Sequence, residues 1–321
     1  MPTGQNRLRT ASSFSRNRLE HRTATFGVDH LRLVQWLTVP SESLHAGDRV
    51  GPFELPVDPD SIRQFAEATL DDSHEIRHGR TVPPALIATR VYRAQLAAIT
   101  ELVPLDIFSA ARSGVHGQHE LLLHRPISAD EKLHTFSETH SARPSGANFR
   151  VTLHHSTFDD REDLVAEQWW TTVLLGTTAE PTGPAPPDYS FSSSEGVTPV
   201  AEDVVRIDEV MARRYAQVSG DYNDHHFSAE AARRSGYEAP FLHGLCTMAL
   251  CARAATGTVA NGDPRRIRRI AVRFVAPAFL GHDLRVQIYQ RADGNFALEA
   301  GCGGTVVIKN GLVQLVPRSG D

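Results

Sequence analysis

The sequence predicts an α+β protein made of two similar halves, in each of which an antiparallel sheet wraps around one buried helix. Three observations support this prediction. The chain has 321 residues, enough for two ordinary domains. A stretch rich in Pro, Ser, Thr and Gly lies near its middle, and the segments before and after that stretch follow the same order.

The sequence divides into four regions. Residues 1–27 are rich in Arg and Ser with Glu20 as their only acid, so we expect a disordered polar tail, although an organellar transit peptide has the same composition. An N-terminal domain is expected over 28–178 and a C-terminal domain over 200–321. The linker between them, over 179–199, is predicted because Pro and Ser interrupt every periodic pattern there.

The same elements are predicted in each domain. A short helix over about 60–69 or 208–218 leads through a polar loop to an apolar helix over about 85–99 or 244–255. Strands follow, and in the second half RIAVRF and LRVQIYQ alternate apolar and polar residues, as strands with one buried face do. The segment LCTMALCARAA is apolar on nearly all sides, so it should be the buried helix.

Three segments of the first half match segments of the second half in the same order, which indicates an internal repeat. They cover both helical regions, the loop after the first helix and the start of the strands. The pairs are FAEATLDDSHEI (65–76) with YAQVSGDYNDHH (215–226), VPPALIATRVY (82–92) with LHGLCTMALCA (242–252), and LLLHRPISADEKL (121–133) with VRFVAPAFLGHDL (272–284).

The loop after the second short helix concentrates acid, amide and imidazole groups in SGDYNDHH (219–226). Asp and Asn after a Gly can simply form a turn. Here, however, His226 follows, and PFLHGL (240–245) places Gly244 where the buried helix begins. The unpaired N–H groups and positive dipole at a helix start can bind a developing oxyanion. The combination therefore favours acid/base catalysis over a turn alone.

These residues resemble the MaoC-like, (R)-specific enoyl-thioester hydratases, also called hydratase 2, of the hot-dog superfamily. That family carries GDxN, a His three residues after the Asn, and a His-Gly pair at the mouth of the central helix. The similarity covers 200–318, and the first half resembles the degenerate partner domain of double hot-dog members. The matching residues are Gly220, Asp221, Asn223, His226, His243 and Gly244.

The resemblance implies the reversible addition of water to a trans-2-enoyl thioester, which gives a (3R)-hydroxyacyl thioester. Asp221 and His226 would act together as the acid/base pair. Asn223 would hold the water or the carboxylate, and the Gly244 N–H would stabilise the thioester oxygen. The carrier of the acyl group would be coenzyme A or an acyl carrier protein, and no further cofactor is expected.

Three residues around the helix start are expected to contact the substrate: Phe241, His243 and Leu245. For His243, support of the loop or of the helix start is favoured over a chemical role. Trp169 and Trp170 could also line an acyl pocket, but packing under the sheet is the favoured interpretation of a strand segment of this kind.

Two residues depart from the family pattern, because Asp224 and His225 stand where the family usually has Pro and an aliphatic residue. The charge of Asp224 is expected to raise the pKa of His226. No metal site is expected: adjacent histidines tend to point apart, and the loop lacks the Gly and Glu positions of a calcium loop.

The first half lacks two of the groups that the resemblance makes catalytic in the second half. Pro84, which has no N–H, aligns with Gly244, and Ile76, which cannot transfer a proton, aligns with His226. We therefore expect the N-terminal half to complete the acyl tunnel and to pair its sheet with that of the catalytic half.

The charge, hydropathy and cysteine content of the chain argue against other classes of protein. A net charge of −5 and a pI near 6.3 argue against nucleic-acid binding, and no run of about 18 apolar residues suggests a membrane span. Three cysteines cannot all pair and none lies in a CxxC motif, so a reducing compartment and a cytoplasmic location are expected.

Two other functions stay open on the sequence alone. The degenerate first half would suit a non-catalytic subunit that binds acyl thioesters. A hot-dog thioesterase would use a carboxylate and the same helix start to hydrolyse the thioester. A homodimer of double hot-dogs is also open.

Overall fold

The computed structural model describes residue 44, residues 46–185 and residues 198–316. The predicted tail over 1–27 lies outside the described residues, and so do residues 186–197 of the predicted linker. We refer to the described residues before and after this gap as the N-terminal half and the C-terminal half.

The two halves contain strands and helices in closely similar order. The N-terminal half contains β1 (Arg49–Pro56), α1 (Pro59–Thr69), α2 (His74–Arg77), α3 (Pro84–Arg90), α4 (Tyr92–Leu102), α5 (Leu105–Ala110), β2 (Ser113–Leu123), β3 (Lys132–Ser145), β4 (Asn148–Phe158) and β5 (Leu164–Leu175). The C-terminal half contains β6 (Ala201–Arg206), α6 (Glu209–Ser219), α7 (Ala229–Arg234), α8 (Gly244–Gly257), β7 (Ile267–Phe274), β8 (Asp283–Gln290), β9 (Phe296–Cys302) and β10 (Thr305–Leu315).

All these strands form one antiparallel sheet with the order β1-β3-β4-β5-β2-β7-β10-β9-β8-β6. Each half contributes five strands in the same internal order, and the halves join where β2 pairs with β7. At this junction, Glu120 on β2 forms an ion pair with Arg269 on β7, with 3.1 Å between Oε1 and Nε. The predicted double hot-dog fold is confirmed, with its two sheets joined edge to edge.

The short helices α1 and α6 begin in the same way. The carboxylate of Asp58 accepts a hydrogen bond from the Ser61 N–H at 2.9 Å, and that of Asp208 accepts one from the Met211 N–H at 2.8 Å. These N-caps satisfy amide groups that have no acceptor inside the helix. Both helices were predicted correctly, to within one or two residues, and they pack against each other across the two halves.

The apolar helix of each half has a different form. In the C-terminal half, α8 is continuous and its residues from Leu245 to Ala252 are all buried. In the N-terminal half, the prediction of one helix over 85–99 is wrong, because α3 ends at Arg90 and α4 begins at Tyr92. Val91 between them has ψ of −15°, away from the usual helical value, so the regular helix is interrupted there.

The interior of the N-terminal half contains a buried network of polar side chains. Nε2 of His155 donates to Oε1 of Gln95 at 2.9 Å, which leaves Nδ1 to accept from the Ser137 hydroxyl at 2.7 Å. His119 Nε2 lies 3.0 Å from Oε1 of Gln168. Burial lowers the pKa of His119 to about 4 and the pKa of His155 well below its usual range. Both imidazoles are therefore neutral at pH 7.

We expect the free energy of unfolding to decrease as the pH falls from about 7 to 4. An unfolded histidine takes up a proton near pH 6.5, whereas folded His119 resists protonation until about pH 4. The contribution of His119 to the free energy of unfolding is therefore complete above pH 6.5. As the pH falls towards 4 this contribution is lost, which lowers the free energy of unfolding by up to about 3 kcal/mol. Urea unfolding followed by circular dichroism at several pH values measures this change. The dependence should be weaker in His119→Gln, and an equal dependence in both proteins would contradict it.

Candidate active site

The loop after α6 carries the candidate catalytic groups. Gly220 ends the helix with a φ of 75°, a left-handed conformation that favours glycine, and its N–H donates to the Ala216 carbonyl at 2.8 Å. The chain then turns at Asp221. Its Oδ1 accepts two hydrogen bonds from Asn223, one from the backbone N–H at 3.2 Å and one from Nδ2 at 2.6 Å. Asn223 thus holds one carboxylate oxygen of Asp221 and leaves the other free.

The second carboxylate oxygen of Asp221 faces His226. Oδ2 of Asp221 lies 3.8 Å from Nε2 of His226. This distance is too long for a direct hydrogen bond, but one water molecule can contact both atoms. His226 is only 4% exposed, so a water held there would be shielded from bulk solvent. The structure therefore brings together the two residues that the sequence predicted as an acid/base pair.

The hydrogen bonds of His226 define its tautomer. Nδ1 lies 2.8 Å from the carbonyl oxygen of Phe241, and since a carbonyl can only accept, Nδ1 carries the proton. In the neutral ring, Nε2 then has the free lone pair. Burial and the neighbouring His243 lower the pKa of His226 to about 4. The expectation that Asp224 raises this pKa is wrong: Asp224 is exposed to solvent, and the loss of hydration outweighs its charge.

Asp221 is ionised at neutral pH. Its burial acts to raise its pKa, but the positive charges that His243 and His226 acquire at low pH and the hydrogen bond from the Asn223 backbone outweigh this effect and lower the pKa. The pair at pH 7 thus consists of a carboxylate and a neutral imidazole. Both present acceptors to the space between them.

His243 connects the loop to the start of α8. Its Nε2 donates to the backbone carbonyl of Asp221 at 3.0 Å, and its ring stacks on His226 with 3.7 Å between centroids. These contacts join the loop to the helix start, and contact of His243 with substrate stays a prediction. Gly244 follows as the first residue of α8, where a backbone N–H has no acceptor within the helix.

The two apolar residues predicted to contact substrate lie on either side of this helix start. The ring of Phe241 stacks on His225 at 5.1 Å with an interplanar angle of 5°. Leu245 is 6% exposed and belongs to the hydrophobic core. Their contact with substrate stays a prediction.

Asp221, His226 and His243 each place a possible ligand atom within 4.8 Å of the others. A metal ion would need both imidazole lone pairs to point at one position. The two rings instead stack with an interplanar angle of 25°, and the lone pairs lie in these nearly parallel planes. Coordination by both rings would therefore require a ring rotation, and this geometry favours a bound water over an ion.

The equivalent region of the N-terminal half is closed. Ile76, which replaces the imidazole, is fully buried. Asp71 accepts hydrogen bonds from the backbone N–H and hydroxyl of Ser73, so its carboxylate closes a turn. Pro84 begins α3 beside an apolar cavity of about 10 Å³ that Ile87 also lines. This cavity holds at most one water molecule.

The N-terminal half contributes to the site in a way that the sequence did not predict. The hydroxyl of Tyr92, at the start of α4, accepts a hydrogen bond from Asn223 Nδ2 at 3.3 Å. Tyr92 also packs on Trp170, with 6.1 Å between ring centroids. No local pattern could reveal this contact, because 131 positions separate Tyr92 from Asn223.

Trp170 extends this aromatic wall. It is 6% exposed and stacks on His116 at 3.9 Å with an interplanar angle of 6°. His116 in turn lies 4.7 Å from Phe274, whose ring would be 3.4 Å from a Cβ placed on Gly244. The favoured interpretation of Trp170 as a packed strand residue agrees with its burial. Trp170 nevertheless contacts Tyr92 on one side and, through His116 and Phe274, reaches the start of α8 on the other.

Comparison with known proteins agrees with the fold. Residues 190–308 match the family described as MaoC like domain. The 3-hydroxyacyl-thioester dehydratase Y of Mycobacterium tuberculosis is 30% identical over 222 residues, which cover 63% of this chain and 72% of that protein. Peroxisomal multifunctional enzyme type 2 of Mus musculus is 27% identical over 221 residues, 68% of this chain but 30% of that enzyme. The chain thus spans less than a third of the mouse enzyme.

Solved structures show the same architecture. A MaoC-like dehydratase from Phytophthora capsici superposes with a TM-score of 0.72 and 21% identity, covering 88% of this chain and 99% of that one. A Mycobacterium tuberculosis protein described as having a double hotdog fold superposes with a TM-score of 0.54 and 12% identity, covering 83% and 94%.

Together, the fold and these relatives define a double hot-dog protein. The chain belongs to the MaoC-like hydratase 2 family. Among the described residues, no helix combines the length and apolar character needed to cross a membrane.

His225, which departs from the family pattern, contacts His226 directly. Their Nε2 atoms are 3.1 Å apart, and because His226 Nε2 is the acceptor in the neutral ring, His225 donates. A hydrogen bond to the neutral form of His226 lowers its pKa. We therefore expect His225→Leu to raise the pKa of His226, measured by NMR titration of the ring. His225→Gln, which keeps an N–H donor, is the control, and equal shifts in both variants would contradict the assignment.

Proposed function

We propose that the protein catalyses the reversible hydration of trans-2-enoyl thioesters to (3R)-hydroxyacyl thioesters. One observation carries the proposal: a carboxylate oxygen of Asp221 and the unprotonated Nε2 of His226 face each other across 3.8 Å. A single water molecule at this separation can donate one proton to the carboxylate and, in place of the His225 N–H, the other to Nε2. The Gly244 N–H at the adjacent helix start supports the same assignment.

The acid/base step follows from the protonation states. As the water oxygen attacks the β-carbon, one of its protons passes to the Asp221 and His226 pair, and the pair delivers a proton to the α-carbon. The water is thus added completely and both residues return to their starting states. In the reverse direction, the pair removes the α-proton and protonates the departing hydroxyl. A positioned pair of this kind contributes roughly 10² to 10⁴ in rate.

The start of α8 would stabilise the charge that develops during this step. When the β-carbon is attacked, negative charge accumulates on the thioester oxygen. The Gly244 N–H is unpaired within the helix and lies at the positive end of the helix dipole. A donor that is already oriented costs no reorganisation as the charge appears. Gly244 is thus the proposed oxyanion donor.

The proposed acyl carriers are coenzyme A and acyl carrier protein. Relatives are named enoyl-CoA hydratase 2 in Arabidopsis thaliana and 3-hydroxyacyl-thioester dehydratase in Mycobacterium tuberculosis, which supports a thioester substrate. No additional cofactor takes part in the proposed reaction, since water is the only co-substrate. The (3R) configuration rests on the family resemblance.

Substitution of either member of the pair should abolish hydration. We expect Asp221→Asn and His226→Gln to reduce kcat for crotonyl-CoA by at least about 100-fold, because each removes an acceptor for the water protons. Loss of the enoyl absorbance measures the reaction. Asp71→Asn, the equivalent change in the N-terminal half, should leave kcat nearly unchanged.

The same assay separates the alternatives. Release of free thiol without formation of the hydroxyacyl product would indicate a thioesterase. Wild-type rates in both Asp221→Asn and His226→Gln would refute the proposed pair.

The oxyanion donor can be tested separately. Gly244→Pro removes the N–H at the first helical position, where proline is tolerated and where the N-terminal half already has Pro84. We expect kcat to fall by roughly 10² to 10³. Gly244→Ala keeps the N–H, and its Cβ would approach Phe274 no closer than 3.4 Å, so kcat should change much less. Equal rates in the two variants would exclude this amide as the donor.

A further inference from the structure

We propose that Tyr92, contributed by the N-terminal half, is a positioning residue that orients the Asp221 carboxylate towards the reactive water. This inference rests on the proposed hydration reaction. It gives the N-terminal half a direct part in the chemistry, beyond the acyl tunnel expected from the sequence.

The position of Tyr92 depends on the interruption of the N-terminal apolar helix. Tyr92 is the first residue of α4, directly after Val91. It is 8% exposed and is fixed by its packing on Trp170. In the internal repeat, Tyr92 aligns with Ala252 in the middle of the continuous α8. The hydroxyl therefore has no counterpart in the other half.

The hydrogen bonds of the three polar groups form a closed set. Asn223 Nδ2 donates one proton to Oδ1 of Asp221 at 2.6 Å and the other to the Tyr92 hydroxyl at 3.3 Å. The Tyr92 oxygen is thus an acceptor for Asn223, and its own proton is free to be donated. Burial, followed by the charge of Asp221 and a hydrogen bond with it, raises the pKa of Tyr92 well above its usual range. Tyr92 therefore stays protonated, and its proton is available to the nearby carboxylate.

This set determines the orientation of the carboxylate. Oδ1 of Asp221 is occupied by the two Asn223 donors, and Tyr92 holds the Asn223 amide in the rotamer that makes this possible. Oδ2 is consequently directed at His226. Without the hydroxyl, one Asn223 proton would lose its partner in a buried site, and the amide would have a reason to rotate.

The same contact affects the charge of Asp221. A hydrogen bond to the ionised form of a carboxyl group lowers its pKa, so loss of the Tyr92 donor should raise the pKa of Asp221. The other ionisable groups that act on Asp221 or respond to it are His225, His226, His243 and Tyr215. Tyr92→Phe keeps all four of these groups and removes only the hydroxyl.

The test is Tyr92→Phe in the full-length chain. We expect kcat for crotonyl-CoA to fall by about 10- to 100-fold, as for the loss of a hydrogen bond to a charged group, while KM stays nearly constant. The acid limb of the kcat pH profile should move towards neutral pH. Loss of packing alone would not move that limb, because the phenyl ring of the variant retains the contacts with Trp170.

Tyr289→Phe is the matched control. Tyr289 is 4% exposed, and its hydroxyl donates to Gln287 at 3.3 Å on β8, outside the site. The control should keep the wild-type kcat and acid limb. If Tyr92→Phe behaves like Tyr289→Phe while the wild type is active, the inference is overturned.

A second measurement separates this inference from the proposed function. NMR titration of the Asp221 carboxyl carbon reports its pKa without any turnover. A higher pKa in Tyr92→Phe than in the wild type would support the inference even if crotonyl-CoA is not hydrated, in which case the proposed function alone fails. An unchanged pKa would overturn the role of Tyr92 whatever the activity.

Discussion

The edge-to-edge pairing of β2 with β7 is the interaction on which the rest of the molecule depends. It places His119 opposite Val272 and Leu121 opposite Ile270, so both halves keep their apolar faces on the same side of one sheet. A shift of one residue would turn every side chain of one strand to the other face. With this register fixed, α3 packs against α8 and α1 against α6 across the two halves. Only this arrangement brings Tyr92 to Asn223.

The internal repeat thus yields an unequal pair of sites. The C-terminal half combines an ionised carboxylate, a neutral imidazole and a helix-start amide that has no acceptor within the helix. The N-terminal half keeps only the acid, and there Asp71 serves a turn with Ser73. The N-terminal half instead contributes to the structure of the site, through the aromatic wall formed by Tyr92, Trp170 and His116.

The sequence predicts those features that local patterns determine. Helices α1 and α6 follow from their periodicity, and α8 from its apolar surface. The candidate catalytic constellation follows from spacing within one loop and one helix start. The interruption at Val91 and the contact of Tyr92 with Asn223 could not be predicted, because they depend on packing between segments far apart in the chain. The pKa of His226 was predicted in the wrong direction, since burial is a tertiary property that the neighbouring Asp224 does not report.

Pro84 at the first position of α3 has an evolutionary consequence. At this position a helix makes no use of the N–H, so its replacement by proline removes the proposed oxyanion donor at little cost to folding. In a duplicated domain, such a single replacement would not be opposed by selection for stability. The return path is longer, because Ile76, which aligns with His226, would also have to become an imidazole again. Divergence of the two copies would then proceed in one direction only.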